Sequence, residues 1–110
     1  MKIMFICTGN ICRSAMAHRM LEKRVKDLNR DDIEVYSCGV FAYNGDRPTS
    51  QGIEVMKNYE VDLTSHRATN IHNSNIEDMD IIFTEGLFVL LTLNYFLNGI
   101  VKSFFFLFWT

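Results

Sequence analysis

The sequence predicts an α/β fold, three layers (αβα) around a small parallel sheet, and three observations carry that prediction. Apolar or alternating runs at residues 2–6, 33–38 and 79–84 read as strands. Stretches with apolar residues at helical spacing lie between them. The connections are short, which implies right-handed crossovers and parallel pairing. In such a sheet, ligands collect at the C-terminal ends of the strands.

Residues 2–6 place Ile3, Met4, Phe5 and Ile6 in succession, as suits a central strand covered on both faces. A helix is expected over residues 14–28. Ala17, Met20 or Leu21, Val25 and Leu28 form its apolar face; Arg19, Glu22, Lys23, Lys26 and Asp27 form a solvated one. Asn29-Arg30-Asp31-Asp32 is a polar turn, after which Ile33 and Val35 alternate with Glu34 and Tyr36 in a second strand. Residues 39–47 form a loop with Phe41 and Tyr43 near its centre. Pro48, the only proline, suits the start of a second helix that turns Ile53, Met56 and Tyr59 inward, with Gly52 as a mild weakness. Residues 70–77 are polar and have room for a short helix before the third strand at 79–84.

Composition narrows the function. A net charge of −2 gives no electrostatic case for nucleic acid or an anionic membrane surface. The first apolar run is too short and too poorly flanked for a signal peptide. Three cysteines at irregular spacing make neither a disulfide framework nor a zinc site, so no metal and no cofactor is expected. The chain reads as cytoplasmic, with its thiols reduced.

The chemistry is concentrated in Cys7-Thr8-Gly9-Asn10-Ile11-Cys12-Arg13-Ser14, between the first strand and the first helix. Successive backbone N–H groups leading into a helix N-terminus make a nest for an anion. Gly9 permits positive φ or a close approach of backbone to ligand, and Asn10 tolerates the left-handed region. Arg13 supplies a planar fork for two phosphate oxygens. The field that attracts phosphate also favours thiolate over thiol, which makes Cys7 a candidate nucleophile.

This octapeptide, close to the N-terminus, resembles the signature loop of the low-molecular-weight protein tyrosine phosphatases. The resemblance implies that fold and a cysteinyl-phosphate mechanism. Cys7 and Arg13 would be catalytic, and Thr8, Gly9, Asn10, Ile11, Cys12 and Arg13 would bind phosphate. Ser14 would donate to the Cys7 sulfur, a position that also suits a helix N-cap. Asn10, Ser37 and His66 match positions that form a hydrogen-bonded network beneath the loop, although a lone histidine also suits a core. Cys12 is a small buried hydrophobe or, by resemblance, a redox partner that protects Cys7 from over-oxidation.

The implied partner is a phosphorylated protein or a small aryl phosphate. Ile11 on the loop rim resembles the tyrosine-phosphatase branch, whereas Gly39-Val40-Phe41-Ala42 looks more like the protein-arginine phosphatase branch. In either branch Phe41 or Tyr43 walls a cleft or packs under the loop. Phosphotyrosine is the favoured reading. The thioredoxin-coupled arsenate reductases share a similar loop but need two further cysteines downstream, and no cysteine follows Cys38.

The resemblance covers residues 1–84, a phosphatase-like domain incomplete at its C-terminus. The family continues with an Asp-Pro segment whose aspartate protonates the leaving group. Here no Asp follows Asp80 and no Asp-Pro occurs. Turnover is therefore expected to be impaired, and a non-catalytic module that binds or traps phosphoproteins is the rival reading. In the tail, residues 85–110, only Glu85 and Lys102 are charged. Three readings compete for it: a truncated or frame-shifted segment, a membrane anchor over residues 87–109, or a fourth strand within residues 100–109.

Overall fold

A computed structural model describes residues 1–85 and the strand at 103–107. Four strands, β1 (Lys2–Cys7), β2 (Glu34–Gly39), β3 (Ile81–Glu85) and β4 (Ser103–Leu107), form one sheet in the order β2-β1-β3-β4. Every pairing is parallel. The α/β architecture with a small parallel sheet is therefore the one expected, and β1 lies inside it as its uninterrupted apolar run requires. A fourth strand lies within the tail, where composition alone had suggested one. The rest of the 87–109 span lies outside the described residues. Among the described residues, no helix is long and apolar enough to cross a membrane.

Helix α1 (Arg13–Asp27) begins one residue earlier than expected. It ends where Asn29 takes a left-handed conformation, φ 55°. Arg30 N–H then reaches Val25 O and Asn29 N–H reaches Lys26 O, satisfying carbonyls that the helix leaves open. Its buried residues are Ser14, Ala15 and Val25; Met20 and Leu28, assigned to the apolar face, are exposed. The reason is that the inner face turns towards β1 and β2 around Ala15, His18 and Val25, so the stripe through Met20 points away.

Helix α2 (Ser50–Lys57) is capped by Thr49, whose Oγ1 accepts from Gly52 N–H at 3.1 Å. Pro48 therefore precedes the cap instead of opening the helix. Tyr59 lies beyond the helix end and is exposed, which corrects its inward assignment. The polar stretch holds two 3₁₀ turns, Ile71–Asn73 and Ile76–Asp78. Met79, expected to open the third strand, instead caps the second turn and is buried.

Parallel register gives each row of the sheet one face. Phe5 lies opposite Ser37 and Phe83, whereas Ile6 lies opposite Cys38 and Thr84. Met4, Ile6, Cys38 and Ile82 join Ile71, Ile76 and Met79 in one core cluster under the 3₁₀ turns. The Ser37 row faces α1, and Ala15 of α1 packs with Met56 of α2, Val61 and Leu63 in a second cluster. One core thus lies against the sheet and the other between α1, α2 and the segment that follows α2.

Candidate active site

Cys7 is the last residue of β1 and Arg13 the first of α1, so the loop between them sits at the C-terminal edge of the sheet. The left-handed residue in it is Asn10, φ 56°; Gly9 does not adopt positive φ. The strain falls on the residue whose side chain can offset it. Asn10 is fully buried and all four of its polar groups are engaged. Its N–H donates to Cys7 Sγ at 3.1 Å. Its carbonyl accepts from His66 Nε2 at 2.8 Å. Its Oδ1 accepts from Thr69 N–H at 2.9 Å, which fixes the amide so that Nδ2 donates to Ser14 Oγ at 2.8 Å.

The Ser14 hydroxyl has a single hydrogen, and Cys7 Sγ lies 2.8 Å from its oxygen. With Asn10 Nδ2 already donating to that oxygen, the Ser14 hydrogen is directed at sulfur. Two donors, Asn10 N–H and Ser14 O–H, thus converge on Sγ. Ser14 is not the N-cap: Cys12 occupies that position and makes no side-chain capping bond.

Of the predicted support residues, His66 joins Asn10 but Ser37 does not. Ser37 Oγ instead lies 2.7 Å from His18 Nδ1, because the β2 row it occupies faces α1. Thr8 carries the loop towards the β2 exit: Phe41 N–H donates to Thr8 O at 2.9 Å and Val40 N–H to Cys7 O at 3.0 Å. Phe41 therefore lies at the mouth of the loop; it and Tyr43 are 58% and 78% exposed and are not packed beneath it. Ile11 is half-buried, its carbonyl taking the Thr49 N–H. Cys12 is half-buried and Cys38 buried, and all three thiols are free. Burial pushes the Cys38 thiol up to about 12.

Three residues that sequence reasoning missed complete the site. A Cβ on Gly39 would sit 2.5 Å from Thr8 O and 3.0 Å from Asn10 N, so only glycine lets β2 end against the loop. Glu85, buried at the end of β3, forms an ion pair with Arg13 Nη1. Burial raises its carboxyl above the ordinary range while Arg13 pulls it back. His18 is the third. Only Glu85 carried a signal, as a lone charge at the edge of an apolar tail.

A cysteine-bearing loop of this geometry, at the end of a central parallel strand, also occurs in known proteins. The family profile for low molecular weight phosphotyrosine protein phosphatase matches residues 2–85. The chain belongs to that family. A relative, the probable low molecular weight protein-tyrosine-phosphatase EpsP of Ralstonia solanacearum, is 32% identical over 84 residues, 76% of this chain and 54% of that protein. An arsenate reductase of Staphylococcus aureus (strain Newman) is 39% identical over 82 residues, 74% of this chain and 57% of that one. The chain thus spans about half the length of these curated relatives.

Solved structures of the family share the fold. The low molecular weight protein tyrosine phosphatase from T. tengcongensis superposes with a TM-score of 0.88 at 31% identity, covering 96% of this chain and 72% of that one. A Drosophila arginine phosphatase superposes with a TM-score of 0.82 at 30% identity, covering 94% and 69%.

Proposed function

We propose that this low molecular weight phosphatase family member is a hydrolase of phosphorylated proteins that works through a cysteinyl-phosphate, with phosphotyrosine as its preferred substrate. The observation that carries the reading is the convergence of Asn10 N–H and Ser14 O–H on Cys7 Sγ, with Arg13 closing the loop. The sulfur electron pair forms an S–P bond as the P–O bond to the leaving group breaks. Donors from residues 8–13 and the Arg13 fork hold the other phosphoryl oxygens as charge shifts. Water then cleaves the S–P bond, releasing inorganic phosphate and the thiolate. No metal or cofactor enters this cycle, and the cytoplasm is the proposed compartment.

The leaving oxygen departs with an electron pair. These 110 residues carry no Asp-Pro to protonate it, so weakly basic aryl oxides leave most readily. A burst experiment with p-nitrophenyl phosphate tests the whole reading. Release of p-nitrophenol with labelling of Cys7, lost in C7S, supports it; no release and no labelling rejects it. Repeated slow turnover identifies an enzyme, whereas a burst near one equivalent followed by a stall identifies the trapping module.

A second substrate reading rests on Phe41 at the mouth within Gly39-Val40-Phe41-Ala42, and on the similarity to an arginine phosphatase. Matched phosphotyrosine and phosphoarginine peptides, compared by phosphate release, separate the two. Cys12 is proposed as a redox partner. Peroxide converts the Cys7 thiolate to a sulfenic acid, and the Cys12 thiol condenses with it to a disulfide, expelling water. Intact mass after peroxide should fall by two hydrogens; a stable sulfinic acid on Cys7 rejects the pairing.

A further inference from the structure

Against the loop at Asn10, two histidines meet. The rings of His18 and His66 are 6.0 Å apart, centroid to centroid, and 87° to one another, an edge-to-face contact. His18 Nε2 lies 3.3 Å from Glu22 Oε2 and its Nδ1 lies 2.7 Å from Ser37 Oγ. A carboxylate only accepts, so Nε2 carries the hydrogen and Nδ1 is left to accept the Ser37 hydroxyl. His66 Nε2 faces the Asn10 carbonyl and must likewise carry its hydrogen.

We infer that His18 is a positioning residue for the phosphate loop: its neutral ring anchors Ser37 of β2 and braces His66 edge-on, and His66 in turn holds Asn10 in its left-handed conformation. This rests on the phosphate-binding reading above. The chain of contact runs from α1 through two rings to the one strained residue of the loop. It also ties α1 to β2, the two elements that enclose the loop. The charged groups around the pair are Arg19 and Glu22 on α1, and Arg67 beside His66. Arg67 Nη1 is held by the Thr64 and His66 carbonyls, at 2.9 Å and 2.7 Å. Burial is the main reason both rings stay neutral: His18 is pushed down to about 4, against the pull of Glu22, and His66 is also lowered.

The test is protection of Cys7 from iodoacetamide by inorganic phosphate at neutral pH, with thermal melting as the control for folding. H18L removes the acceptor and leaves the buried Ser37 hydroxyl unpaired; the half-protecting phosphate concentration should rise about tenfold. H18N keeps an acceptor near the Nδ1 position and should stay within about threefold of wild type. S37A should weaken protection on its own, and combined with H18L should add nothing, because both remove one contact.

The inference is overturned if H18L stays within twofold of wild type, if H18N is as impaired as H18L, or if the double variant is additive. Should H18L not fold, S37A alone decides: unchanged protection overturns the inference. Failure of phosphate to protect the wild-type thiol is a separate result. It removes the site reading itself, and the positioning role with it.

Discussion

The floor of the site and its mouth are built differently. On the floor, Cys7, Asn10, Ser14 and His66 are all buried, and every polar group of Asn10 has a partner. At the mouth, Phe41 stands exposed with its N–H donating to Thr8 O, and Tyr43, two residues on, is exposed too. The difference teaches which part the fold over-determines: several buried hydrogen bonds set the Cys7 sulfur and the Asn10 backbone, whereas Phe41 stands exposed beside them.

The widest separation between the two regions should appear in the choice of substrate. If the floor works and the mouth lacks an acid, p-nitrophenyl phosphate should outpace a phosphotyrosine peptide by on the order of a hundred- to ten-thousand-fold in the chemical step, the usual worth of general acid catalysis. Equal single-turnover rates would mean that another group supplies the proton.

Acid should damage the floor next. His18 is held neutral when folded, at about 4, but takes up a proton near 6.5 when unfolded. The unfolded chain therefore binds more protons between those values. The contribution is present above pH 6.5 and is lost as pH falls towards 4, by at most about 3 kcal/mol. Urea melts from pH 7 to 4 should show the decline, and H18N should flatten it. An unchanged slope in H18N would assign the acid sensitivity elsewhere.

Steric intrusion on the floor comes third. G39A places a methyl carbon against Thr8 O and Asn10 N, neither of which can move without deforming the loop. It should cost about 1–3 kcal/mol of stability and weaken phosphate protection of Cys7. A G39A chain that melts and binds like wild type would mean that the β2 exit is not the constraint described. The smallest effect belongs to the mouth: F41A should leave phosphate protection unchanged and reduce aryl phosphate affinity by about fivefold, roughly 1 kcal/mol of apolar contact. Calorimetric titration of the C7S variant would read it, and a larger loss of phosphate binding would place Phe41 on the floor.

The loop was legible in the sequence because its determinants are contiguous. Cys7, Arg13 and Ser14 reach one place through a strand-to-helix turn, and residue types at fixed spacing are enough to recognise it. Asn10 was expected to tolerate a left-handed conformation and has φ 56°; His66, expected in a network beneath the loop, bonds the Asn10 carbonyl. Ser37 was expected in a network beneath the loop, with no partner named; its hydroxyl meets His18. Parallel register puts its row towards α1, and no local pattern shows which helical side chain waits there.

By itself, the sequence determined the family, the α/β order and the place of the Cys7–Ser14 loop, since each depends on local propensity or on adjacent residues. Tertiary structure alone decided that Gly39 must be glycine, that Glu85 pairs with Arg13, and that His18 receives Ser37. Those contacts join residues 19 to 72 positions apart. They form only once packing has set the sheet register and the pitch of α1, and chain periodicity does not encode distances across a fold.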